Sequence, residues 1–262
     1  MSFTALITGA SAGLGEEIAR QLAALRIDLV LVARTERRLD AIAMQLRREH
    51  GVTVEVLAAD LADAEDLERV ATRLQSADAP VDILVNNAGF GVLEPFERSD
   101  AADERRLHEV LSWAPLRLSH AAIPGMLARG RGWILNVASV AAFTPTGSYG
   151  AAKAAVVSLS RSLHARYASS GVHVTALCPG LLQTEFHERM GPHLPPLSQF
   201  AFADTTRVAR EGLRAVYRGK PVLSADWRYR LTRPLTWILP DRVLERISAS
   251  GEHSPPSRQH SA

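Results

Sequence analysis

Three glycines near the start of the chain constrain its fold more than any other feature. Phe3 to Thr8 is a short run of apolar and β-branched residues, the composition of a buried strand. Gly9, Gly13 and Gly15 follow at once, in Thr8-Gly9-Ala10-Ser11-Ala12-Gly13-Leu14-Gly15. The apolar period then changes: from about Gly13 to Leu25, residues Ile18, Ala19, Leu22 and Leu25 fall on one helical face. Leu29 to Ala33 is a second buried strand. Strand, glycine turn, helix and strand make a βαβ unit. Gly9 permits the tight turn. Gly13 and Gly15 let the backbone come close to a diphosphate and let the helix pack against the strand. Ser11, Ala12 and Leu14 lie in the same loop, where the free N–H groups of a helix start suit an anion. A purely structural turn is the competing reading.

The same alternation continues. Helices are predicted over Arg37 to Glu49, Glu65 to Gln75, Asp103 to Met126 and Val208 to Tyr217, with a further one carrying Tyr149. Strands are predicted over Val52 to Ala58, Val81 to Val85, Trp133 to Ala138, Val172 to Leu177 and Pro221 to Leu223. This spacing predicts one α/β domain over residues 1–250: a Rossmann-type, doubly wound parallel sheet with helices on both faces. The length of 262 residues suits one such domain. A formal charge of +2, with no basic stripe interleaved with aromatics, argues against a nucleic-acid partner. Cys178 is the sole cysteine, which excludes an intrachain disulfide and a cysteine-based metal cluster. No metal site is expected. The opening residues lead straight into a strand without a charged and apolar leader, and no apolar run is long enough for a bilayer, so a cytoplasmic protein is expected.

Chemistry enters at Ser148-Tyr149-Gly150-Ala151-Ala152-Lys153. On a helix, Tyr149 and Lys153 share one face, one turn apart. A free phenol titrates near ~10. A cation beside it favours the phenolate, so Tyr149 could exchange protons with an alcohol or carbonyl near neutral pH. The chain holds only two lysines, Lys153 and Lys220, among 30 basic residues. Placing one of them here points to a need for a compact ammonium rather than a guanidinium. The plainer reading is a solvated helix face.

Thr8 to Gly15, Tyr149 and Lys153 together resemble the short-chain dehydrogenase/reductase family, and the likeness runs from Phe3 to about Phe186. The resemblance implies an oxidoreductase that moves a hydride between a nicotinamide cofactor and a carbonyl or secondary alcohol. Tyr149 would be the general acid or base, Lys153 would also hold the nicotinamide ribose, and Ser139 would orient the substrate oxygen. Asp60 and Leu61 would meet the adenine, although Asp60 also suits the N-cap of the helix that follows. Asn87, Ala88 and Gly89, from Asn86-Asn87-Ala88-Gly89, would abut the adenosine ribose. Pro179 and Gly180 would lie by the nicotinamide, and Thr184 would contact its carboxamide. At the end of the second strand, where an acidic residue would grip a ribose 2′-hydroxyl, the chain has Ala33 and Arg34, with Arg37 and Arg38 just beyond. That favours NADP(H) over NAD(H), because Arg34 could pair with a 2′-phosphate; the alternative is that it simply faces solvent.

Two departures stand out. Leu111 occupies the position where the family has an asparagine supporting a water-linked proton relay. Ser139 and Tyr149 are ten residues apart, a shorter loop than the family's commonest. Leu111 sustains a second reading, an NADP(H)-binding sensor or scaffold with little turnover. A dehydratase or epimerase is disfavoured, since no larger substrate domain is present. Residues 187–247 read as a proline-rich substrate lid and C-terminal elements, suited to a lipophilic substrate. Within them, 226–247 could pack as helices or rest on a membrane surface; Pro234 and Pro240 argue against the latter. Residues 251–262 read as a disordered tail. The resemblance also implies a homodimer or homotetramer through the long central helices.

Overall fold

Strands buried on both faces set the layers. A computed structural model describes residues 3–92, 94–180, 182 and 203–224. Its strands are β1 (Thr4–Thr8), β2 (Asp28–Ala33), β3 (Val54–Ala58), β4 (Ile83–Asn86), β5 (Gly132–Val137), β6 (Val172–Cys178) and β7 (Val222–Ser224). They form one sheet in the order β3-β2-β1-β4-β5-β6-β7, and every paired neighbour is parallel. The helices are α1 (Gly13–Ala24), α2 (Glu36–His50), α3 (Ala64–Gln75), α4 (Ala101–His108), α5 (Ala114–Ala128), α6 (Gly147–Tyr167) and α7 (Thr205–Tyr217).

Successive strand residues point to opposite faces. Ala5, Ile7, Leu29, Leu31, Ile83 and Val85 pack with the inner faces of α1, α2 and α7. Leu6, Val30, Val32, Leu84 and Ile134 pack with α3, α4, α5 and α6. Most of these side chains are fully buried, each contributing about 1.5–3 kcal/mol. The fold is therefore the doubly wound parallel sheet that the sequence implies. Its order reverses at β1, whose neighbours are β2 and β4. A crevice forms outside the carboxyl ends of the strands at such a point.

Asp63, Asp100 and Asp204 cap α3, α4 and α7 with their carboxylates. The cap of α3 is thus Asp63, not Asp60. The helix expected over Asp103 to Met126 begins earlier, at Ala101, and is interrupted. Glu109–Trp113 form a π-helical turn, after which the Ala114 N–H bonds back to the Glu109 carbonyl. A single extra residue in the turn produces this, and α4 and α5 continue on either side. Leu111 sits at its centre. The expected lid over 187–247 falls outside the described residues except for Ala203 to Ser224, which form the bridge at Ala203, α7 and β7. The tail over 251–262 falls wholly outside them.

Candidate active site

The site residues gather where the strands end. Gly9 has φ +65, a backbone that disfavours any residue with a Cβ. A Cβ on Gly15 would stand 2.3 Å from the Gly9 carbonyl oxygen and 2.4 Å from Asn87 Nδ2. The turn therefore closes tightly onto α1. Ala12, the N-cap of α1, is extended and provides no side-chain acceptor for the first-turn N–H groups. Those donors, with the positive end of the helix dipole, suit a diphosphate. Ser11 and Ala12 are partly exposed beside them, whereas Leu14 is 6% exposed and offers only its backbone.

One hydroxyl stitches this turn to β4. Thr8 Oγ1 donates to the Val85 carbonyl (3.3 Å) and accepts from the N–H groups of Asn87 (2.9 Å) and Ala88 (3.1 Å). Asn87 Nδ2 returns the contact by donating to the carbonyls of Thr8 (3.0 Å) and Gly9 (3.2 Å). Asn87 and Ala88 thus stand against the glycine turn, with Gly89 exposed beside them. Below lies a buried chain of amides. Asn86 Nδ2 donates to Asn136 Oδ1 (2.8 Å), and Asn136 Nδ2 donates to Ser160 Oγ (2.9 Å). It locks β4, β5 and α6 together under the site.

Arg34 and Asp60 follow β2 and β3, whose last registered pair is Ala33 and Ala58. Arg34 is exposed. Both oxygens of Asp60 are engaged: Oδ1 accepts from the Ala62 N–H (3.1 Å), and Oδ2 accepts from Arg106 of α4 (2.5 Å). Leu61 is buried in the core at 6% exposure, so only its backbone can face a ligand.

β5 delivers Ser139, and the first turn of α6 delivers Tyr149 and then Lys153. The shortened loop still brings them together, since Ser139 and Tyr149 are hydrogen-bonded. Ser139 Oγ also accepts from the Ala141 N–H (3.1 Å), capping a 3-10 turn over Val140–Phe143. The Val140 N–H bonds to the Pro179 carbonyl (3.0 Å), which places the Pro179-Gly180 turn beside Ser139. Thr184 falls outside the described residues.

The expected lowering of the phenol by its neighbour is not found. Burial pushes Tyr149 above its ordinary value, against the pull of the Ser139 hydrogen bond. The reason is geometric. Lys153 Nζ donates to the Val137 carbonyl (2.8 Å) and lies 5.8 Å from the centre of the Tyr149 ring. Burial also lowers Lys153, opposed only by Cys178, to about 8. Leu111 is fully buried, and its Cδ2 would stand 2.9 Å from a Cβ on Gly89, while Lys153 Nζ would be 3.8 Å from the same point. An aliphatic group therefore occupies the surroundings of the amine.

Two contacts escape sequence reasoning. Arg106 on Asp60 is one. The other is Glu104 of α4, which accepts a hydrogen bond from the Ser148 hydroxyl, next to Tyr149. Hydrogen bonds from Ser148 and then Ser99 hold the Glu104 carboxyl below its usual range.

A sheet of this order thus carries at the ends of its strands a glycine-rich turn, a helix start without a side-chain cap, and a linked Ser139–Tyr149 pair beside a buried lysine. The sequence matches the short chain dehydrogenase family over residues 3–194, and the chain belongs to that family of oxidoreductases. It is similar to a short-chain dehydrogenase from Sphingobium yanoikuyae in complex with NADPH: TM-score 0.82 and 35% identity, covering 99% of this chain and 98% of that one. The bulky-bulky ketone specific alcohol dehydrogenase from Comamonas testosteroni gives TM-score 0.78 and 32% identity, over 99% and 96% of the two chains. The very-long-chain 3-oxoacyl-CoA reductase of Anas platyrhynchos is 31% identical over 196 residues, 72% of this chain and 62% of that protein's length.

Proposed function

We propose that the chain is an NADP(H)-dependent oxidoreductase that interconverts a carbonyl and a secondary alcohol. One observation carries the reading: Ser139, Tyr149 and Lys153 converge beside a glycine turn that fits a diphosphate. The turn from Gly9 to Gly15 would hold the diphosphate, Asn87 to Gly89 the adenosine ribose, and Pro179, Gly180, Thr184 and Lys153 the nicotinamide end. When bound, the nicotinamide supplies or accepts the hydride. In reduction the Tyr149 hydroxyl gives its proton to the carbonyl oxygen, and in oxidation the phenolate takes one from the alcohol. Ser139, already bonded to Tyr149, orients that oxygen. Lys153 presents a positive charge as the phenolate develops.

The substrate is proposed to be lipophilic. Phe90, Val92 and Tyr149 are partly buried against the same apolar cluster, Phe143 lies in the turn after Ser139, and Phe96 is 74% exposed. The named substrates of the oxoacyl-CoA reductase and the bulky-ketone dehydrogenase agree in character. No described helix is long and apolar enough to cross a membrane, and we place the chain in the cytoplasm. We read it as a homodimer or homotetramer built on α4, α5 and α6, since Trp113 and Leu116 stand 49% and 40% exposed there.

The exposed, charge-ready Arg34 supports NADP(H) over NAD(H). A panel of ketones and alcohols read at ~340 nm with NADPH and NADH tests both the activity and the preference. Arg34→Ala is expected to weaken NADPH binding about 10- to 100-fold and leave NADH binding unchanged. Equal loss for both nucleotides would remove the 2′-phosphate role. Glu104 is read as a positioning residue for Tyr149. Glu104→Ala should lower kcat about tenfold, with KM and NADPH affinity held and Glu104→Gln close to wild type. Unchanged kcat in the alanine variant would reject it.

Leu111 favours a second reading, a nucleotide sensor with little turnover, because its buried side chain cannot hold a relay water. Replacement of Tyr149 separates the two: a sensor loses nothing by it.

A further inference from the structure

We propose that Arg106 sets the preference for a 2′-phosphorylated nucleotide without touching the phosphate, by occupying Asp60 so that Arg34 stays free. The inference rests on the NADP(H) reading.

Arg34 and Asp60 leave adjacent strands one after the other. Ala33 pairs with Ala58, and the Ala59 N–H bonds to the Ala33 carbonyl (3.0 Å), so the two residues leave the sheet close enough for the Arg34 charge to act on the Asp60 carboxyl. An arginine next to an open carboxylate would ordinarily fold onto it. Here the carboxylate is taken from the other side. Arg106, on the second turn of α4, reaches 46 residues back in sequence to Oδ2 at 2.5 Å. Oδ1 is held by the Ala62 N–H (3.1 Å), and the Asp60 N–H is itself tied to Asp66 Oδ2 (2.7 Å). Burial raises the Asp60 carboxyl, but Ala62, Arg106 and, more weakly, Arg34 bring it below its ordinary value. Asp60 is therefore ionised and neutralised in place by Arg106. Arg34 has no hydrogen-bond or ion-pair partner among the described residues.

The consequence is a division of labour between two arginines. Asp60 can stay in the adenine region without repelling a nearby dianionic phosphate, because its charge is answered by Arg106. Arg34 is not drawn into a competing ion pair. Without Arg106, Arg34 would turn to Asp60, and the phosphate would compete with a carboxylate for the same guanidinium. Since the ribose 2′-hydroxyl of NADH makes no such demand, the loss falls on NADPH alone.

The test measures dissociation constants for NADPH and NADH by fluorescence titration. Proteins compared are wild type, Arg34→Ala, Arg106→Ala, Arg106→Gln, Asp60→Asn and the double variant Arg106→Ala/Asp60→Asn. Both Arg106 variants are expected to cut the NADPH-over-NADH affinity ratio about three- to fivefold, the strength of an exposed ion pair. Adding Asp60→Asn should restore the ratio, because Arg34 then has no rival carboxylate. NADH binding serves as the control for folding. An unchanged ratio in Arg106→Ala overturns the inference, as does equal weakening of both nucleotides. A lowered ratio that Asp60→Asn fails to restore also overturns it, since Arg106 would then act on the phosphate directly. Should wild type show no NADPH preference, or Arg34→Ala leave the ratio unchanged, the cofactor reading itself falls and takes this one with it.

Discussion

Tyr149→Phe is expected to abolish nearly all turnover while leaving NADPH binding intact. The variant removes one oxygen from a ring that remains packed against the apolar cluster beneath it. Positioned proton transfer is worth about 10²–10⁴ in rate, and the fall should lie in that range. NADPH fluorescence on titration reports binding, and single-turnover reduction of a bulky ketone reports chemistry. The pH dependence has a defined sign. Burial raises the phenol, so the neutral form needed for reduction dominates at neutral pH, and reduction should fall as pH rises. Oxidation needs the phenolate and should climb with pH. Lys153, near 8 in this arrangement, loses its charge over part of the same range and flattens that climb. A Phe variant with undiminished turnover would retire the enzyme reading in favour of the sensor.

Gly15→Ala should be the most damaging change to the scaffold. Its new methyl would meet the Gly9 carbonyl at 2.3 Å, and backbone cannot yield there without opening the turn. Asn87 Nδ2, at 2.4 Å from the same point, would be driven off the Thr8 and Gly9 carbonyls it bonds. Overpacking of this kind costs about 1–3 kcal/mol, and a domain of this size should lose on the order of 5–10 °C in Tm. NADPH affinity should fall as well, because the displaced turn is the proposed diphosphate cradle. A thermal melt and a titration check both. Wild-type Tm and affinity in this variant would show that α1 does not need its close approach to β1.

The N-terminal βαβ unit was legible in the sequence because three local signals agree there: a buried strand, glycines at set intervals and a helical apolar period. The pairing of Tyr149 with Lys153 was legible for a similar reason, since four residues on a helix is a fixed geometry. What stayed hidden depends on distance along the chain or on burial. Thr8 and Asn87 are 79 residues apart, and Ser148 and Glu104 are 44 apart, with no pattern linking them. The π-turn at Glu109–Trp113 adds one residue to a helix without any residue type that marks it. The depression of the phenol was argued from charge alone. In the folded chain burial outweighs it, and the ammonium spends its hydrogen bond on Val137.

If Tyr149 is the proton donor proposed above, the buried Leu111, which like the Lys153 amine lies near Gly89, gives the catalytic cycle a direction. An aliphatic side chain at that place offers no donor or acceptor along which a proton could pass from the protein's interior. A tyrosine that had just surrendered its proton to a ketone would then be re-armed through the mouth by which the ketone came in, so departure of the alcohol and recharging of the phenol would become one event.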